Sequence, residues 1–132
     1  MKRHLLLASV IALFATPALA SAAIEGEKAK TLYEAKGASA KVLAQKDKTF
    51  IVRDGGQETP EAAEIHVKAG ETFFLTNEEE KYVHNVYDTS DNSWVLKKQE
   101  PSEVAAITFD NPGEHKLRCA IHPKMKINVI VE

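Results

Sequence analysis

From Val42 to the C-terminus the chain is cut every few residues by turn chemistry, and no stretch between the cuts carries a helical pattern. Thr49 to Arg53 is rich in β-formers and runs into Asp54-Gly55-Gly56, a turn signal. Ile65 and Val67 alternate with Glu64, His66 and Lys68, the period of two expected of a half-buried strand, before Ala69-Gly70-Glu71 turns the chain. Thr72 to Asn77, Val83 to Tyr87 and Val104 to Phe109 read as further strands, the last followed by Asn111-Pro112-Gly113. His115, Leu117 and Cys119 share one face of the next strand, and Ile127 to Val131 closes the series. Short strands at this spacing predict an all-β fold, an antiparallel sandwich or barrel. By parity, His66 faces solvent and His115 faces inward as a core histidine. Phe74 lies opposite Phe73 and Leu75 and needs cover, for which the N-terminal extension of residues 21–48 is a candidate.

The first 48 residues follow other rules. Lys2 and Arg3 precede an apolar run from Leu5 to Phe14, and Ala18-Leu19-Ala20 has the form of a cleavage site. The run is shorter than the ~20 apolar residues a spanning helix needs. Residues 1–20 are therefore expected to be a Sec-type signal peptide cleaved after Ala20, with a periplasmic product that does not insert into the membrane. Residues 21–48 are expected to be a short extension, with a possible helix in the Ala-, Lys- and Glu-rich stretch from Glu25 to Lys36 that Gly37 would stop. Residues 49–132 form the one domain. Cleavage moves the net charge from −2 to −4. That balance is a poor match for nucleic acid, which requires clustered Lys and Arg.

Cys119 is the only cysteine, so no internal disulfide can form and the thiol is free, shared with another chain or bound to a metal. His122 and Met125 follow at intervals of three in Cys119-Ala-Ile-His122-Pro-Lys-Met125. A thiolate, an imidazole and a thioether are three of the four donors of a blue-copper site, which is trigonal His₂Cys with a weak axial Met. His84, in Tyr82-Val83-His84-Asn85-Val86, supplies the second imidazole from a neighbouring strand. The candidate metal ligands are His84, Cys119, His122 and Met125, for one copper per chain. Asn85 is placed to hydrogen-bond across to the Cys119 loop and fix its shape.

The chain resembles the cupredoxin family, and within it the amicyanin and plastocyanin-like members. Glu58-Thr59-Pro60, Ile65 to Thr72, Asn77, His84-Asn85-Val86, Thr108-Phe109, Pro112-Gly113 and Cys119 to Met125 carry the resemblance, over about residues 50–132. The Cys-x-x-His-x-x-Met loop is similar to the short loop of amicyanin; plastocyanins and pseudoazurins set the Met two residues later. The sequence departs at Val83, where members often have Pro, and at His115, where they have Tyr. The resemblance implies a Greek-key β-sandwich, no enzymatic activity and a monomer that shuttles single electrons between redox proteins such as a c-type cytochrome or a dehydrogenase.

A copper chaperone or resistance factor is the alternative, but such proteins tend to use clusters of Met and His, and one of the two Met residues here is Met1. In the electron-carrier reading His122 presents its ring edge at one end of the sandwich. Glu78-Glu79-Glu80 is expected to be a solvated acidic loop near that end, matched to a cationic patch on the partner.

Overall fold

The computed structural model describes residues 22–90, 96 and 98–132; the segment read as a signal peptide lies outside them. In chain order these residues form β1 (Ala22–Ile24), α1 (Gly26–Lys36), β2 (Val42–Lys46), β3 (Thr49–Asp54), β4 (Gln57–Thr59), β5 (Glu64–Val67), β6 (Thr72–Asn77), β7 (Val86–Asp88), β8 (Val104–Thr108), β9 (Gly113–Cys119) and β10 (Lys126–Val131). They make a six-stranded sheet in the order β1-β8-β6-β2-β3-β4 and a four-stranded sheet in the order β5-β10-β9-β7. The pairing is not wholly antiparallel as the strand pattern suggested, because β2 lies parallel to β6 and β5 parallel to β10.

The hairpins explain the punctuation. Gly55 and Gly56 both have positive φ, so β3 and β4 are joined by a two-residue loop whose twist suits the strands and whose conformation glycine adopts without steric cost. Between β2 and β3 the two loop residues are Asp47 and Lys48, also at positive φ, where side chains are disfavoured. The Lys48 N–H donates to the Glu79 carboxylate at 2.6 Å, which anchors that conformation.

Two apolar layers result. Between the sheets lie Leu43, Phe50, Ile65, Phe73, Leu75, Leu117 and their neighbours. On the outer face of the larger sheet Phe74, Val42, Ala44, Ile51 and Ala106 pack with Ala29 of α1, flanked by Leu32 and Tyr33. Ala29, Leu32 and Tyr33 are spaced three and one apart, a stripe on one side of a helix. The Tyr33 ring meets Phe74 edge-on, with centroids 5.2 Å apart. Residues 22–48 thus supply the cover that Phe74 required. The sheet also runs through the boundary read at residue 48: β2 sits in its middle between β6 and β3, and β1 extends its edge against β8. Because both faces of β2 are buried, its sequence lacks the alternation that marks a strand covered on one side. Gly37 ends the helix, and a Cβ there would come within 2.7 Å of the Tyr33 ring.

Phe74→Ala is expected to cost about 3–5 kcal/mol, as for other large-to-small changes at buried aromatics. Urea unfolding measures this. A loss below about 1 kcal/mol would show that the helix does not seal the outer face.

Candidate metal centre

His84, Cys119 and His122 converge on one point. The sulfur of Cys119 lies 3.6 Å from Nδ1 of His84 and 3.8 Å from Nδ1 of His122, and the two nitrogens are 3.2 Å apart. A triangle with these sides has a circumradius of about 2.1 Å, within the ~2.0–2.3 Å reach of transition-metal bonds to imidazole and thiolate. The donor set, two imidazoles and one thiolate with a thioether on the same loop, is the one that suits copper. His84, Cys119 and Met125 are buried, whereas His122 is partly exposed beside the exposed Ile121.

The chain places each donor differently. Cys119 is the last residue of β9, and Val86 of β7 is its register partner. The loop beyond it folds back so that the Met125 N–H donates to the His122 carbonyl at 2.9 Å and the Cys119 N–H reaches the Met125 carbonyl at 3.3 Å. His84 is not inside a strand, contrary to the reading of Val83 to Tyr87. It makes an isolated two-bond bridge with Gln99, at 3.1 and 2.7 Å, and β7 starts only at Val86. Asn85 does tie the two regions together, but through its main chain. Its carbonyl accepts from the Ala120 N–H at 2.8 Å and its own N–H points to the Cys119 sulfur at 3.5 Å, while its side-chain amide donates to the Leu96 carbonyl.

A layer of buried amides supports this bridge. The Gln45 side chain donates to the Gln99 side-chain oxygen at 2.7 Å, and Gln99 donates in turn to the Leu75 carbonyl. The Asn77 side chain donates to the Tyr82 and Gln99 carbonyls and accepts from the Glu79 N–H, closing the loop from Asn77 to His84. Each buried amide is costly if left unpaired, so the layer admits few arrangements.

Glu78-Glu79-Glu80 is not the solvated loop expected from sequence. Glu78 holds Arg53 through two bonds of 2.6 and 2.8 Å and accepts from Thr76, and the Arg53 bond leads the forces that lower its pKa. Glu79 is buried, with its carboxylate 3.2 Å from Nε2 of His84. A carboxylate only accepts, so Nε2 donates to it, and this bond orients the ring with Nδ1 toward the site. Glu80 alone of the three is exposed. Sequence reasoning missed Glu79, Gln45 and Gln99, since no periodicity separates a buried polar side chain from a surface one.

The other histidines stand apart. His66 is exposed between Glu132 and Glu64, whose hydrogen bonds, that of Glu132 foremost, raise its pKa. His115 bonds to the buried Asp88 at 2.6 Å and stacks on Phe109, with ring centroids 3.9 Å apart. It thereby makes an anchor at the position where a tyrosine was expected.

No protein-family model and no curated relative matches the chain. Among solved structures, a reduced amicyanin variant is 26% identical over 71% of this chain and 83% of its own, with a TM-score of 0.57. A reduced Cu(I) form of another amicyanin variant, at pH 4, is 26% identical over 70% of this chain and 82% of its own, with a TM-score of 0.56. An oxidised amicyanin variant aligns over 83% of this chain and 98% of its own at 24% identity and a TM-score of 0.60, a likeness of fold.

Burial pushes the Cys119 thiol up, but hydrogen bonds from His84 and from the N–H groups of Asn85, Ile121 and His122 outweigh it and bring the pKa down from 9.0 to about 6. Between those values the unfolded chain holds a proton that the folded chain has lost, so folding stability of the metal-free protein should rise with pH across that window, and below it this contribution is absent. Urea unfolding from pH 5.5 to 9 checks this. Cys119→Ala should flatten that part of the profile, and an unchanged slope in the variant would assign it to another group.

Proposed function

We propose that this chain, a cupredoxin in fold with a donor cluster that fits a type 1 copper site, is a periplasmic one-electron carrier. The observation that carries the reading is the donor triangle, whose sides let one metal ion reach all three atoms at bonding distance. His84, Cys119 and His122 would hold copper, with Met125 of the same loop as a weaker fourth donor. Copper bound there supplies a Cu(I)/Cu(II) couple. The residues around the donors hold them in place. Asn85 and Ala120 pin the thiolate, and Glu79 orients the His84 ring.

Four protein donors leave no open position for a substrate, which argues for electron transfer rather than catalysis. The route out is His122, the one partly exposed donor, whose ring meets the exposed Tyr82 edge-on at 6.1 Å. Tyr82, Ile121 and Pro123 give that end an apolar rim suited to brief encounters with a c-type cytochrome or a dehydrogenase. The burial of Cys119, His84 and Met125 disfavours the chaperone alternative, which must expose its ligands to pass copper on. Export rests on the pattern of residues 1–20, and with them removed the working chain begins at Ser21.

Cu(II) added to the metal-free protein should give an intense blue thiolate-to-copper band at one copper per chain, reversibly bleached by reductant. Cys119→Ser should abolish the band and Met125→Gln should lower the potential while keeping copper bound. Copper at a thousandfold excess over its Kd should add about 4 kcal/mol to folding stability. A colourless complex, or an equal melting temperature with and without copper, would sink the assignment.

A further inference from the structure

Beside the ligand loop lies a cleft of about 500 Å³ whose lining includes Lys48, Arg118, Lys124 and Lys126 against one carboxylate, Glu61, together with Met125. Of the cations outside the cleft, Arg53 pairs with Glu58 and Glu78, Lys41 approaches Asp54 and Glu71, and Lys98 approaches Glu100. Among the described residues, none of the four cations in the cleft makes an ion pair. The cleft also joins the exit at His122. Lys124 and Met125 belong to the same loop as His122, and the Lys48 ammonium sits 4.1 Å over the Tyr82 ring that meets His122. The acidic groups that could have offset this charge are drawn inward, Glu79 to His84 and Glu78 to Arg53.

We propose that this cleft is the docking site for a carboxylate-rich protrusion of the redox partner, seated so that the electron leaves through the adjacent His122 edge. The inference rests on the electron-carrier reading and specifies the partner's chemistry, acidic rather than cationic. It runs against the net charge of the chain, −2, which by itself would repel such a partner. Local charge governs the encounter because fields are screened over about 10 Å at 0.1 M salt, less than the size of the molecule.

The test uses the copper-loaded full-length mature protein. The Cu(I) form is oxidised by hexacyanoferrate(III), one electron passing to give Cu(II) and Fe(II) with no proton transferred. The rate should fall about tenfold between roughly 10 and 500 mM ionic strength. Lys124→Glu with Lys126→Glu should abolish the fall, whereas Lys28→Glu on α1 should leave it. In the metal-free protein, decaglutamate should shift the backbone amide resonances of residues 118 and 124–126. A rate that rises with salt, or a double variant with the same slope, overturns the proposal. So does inorganic phosphate that shifts those resonances as well as the peptide does, because the cleft is then a small-anion pocket. A Cu(I) form that yields no electron to hexacyanoferrate(III) or to a cationic cobalt(III) complex would bring down the carrier reading itself.

Discussion

Two main-chain contacts hold the site together: the Asn85 carbonyl accepts from Ala120, and the Asn85 N–H points at the Cys119 sulfur. His84 and Cys119 are 35 residues apart and sit on separate segments. Joining them at their backbones, one residue from each donor, removes the freedom by which the imidazole and thiolate could drift apart. The His84–Gln99 bridge fixes the other side of the same residue, and the amide layer of Gln45, Gln99 and Asn77 fixes the bridge. The sandwich thus positions the site through hydrogen bonds that have few alternative partners. The apolar layer beneath it, which includes Phe73, Leu75, Leu117 and Cys119 itself, excludes the water that would compete for them.

The same arrangement lowers the cost of placing a thiolate in a buried position. Desolvation opposes ionisation, and the hydrogen bonds from His84, Asn85, Ile121 and His122 reverse the balance. A donor that is already anionic, beside two imidazole nitrogens already at bonding separation, leaves little rearrangement for metal binding to drive. Little rearrangement is also what a one-electron carrier needs between its two oxidation states.

What could be read from the sequence followed from local rules. Strands with one buried face, such as β5 with Ile65 and Val67 inward, announce themselves by alternation. The Cys119 loop announces itself because three soft or borderline donors at intervals of three have few other uses. The need to cover Phe74 was legible, as was the segment that covers it. The central position of β2 was not, since both its faces are buried and alternation disappears. The acidic run was misjudged for a related reason. Burial of Glu79 and the pairing of Glu78 depend on Lys48, Arg53 and His84, which come near only after the sheets form. The expected acidic surface is therefore reduced to Glu80, while the cleft beside the ligand loop is lined by cations that make no ion pair among the described residues.

If His84, Cys119 and His122 hold copper, the fold presents their three donor atoms at separations that need little change on binding. X-ray absorption at the copper edge, on the Cu(I) and Cu(II) forms, tests this most directly. The expected result is two nitrogens and one sulfur at about 2.1 Å in both states, with shifts of about 0.1 Å or less between them. A shell of four nitrogen or oxygen donors without a short sulfur, or a donor lost on reduction, would contradict it.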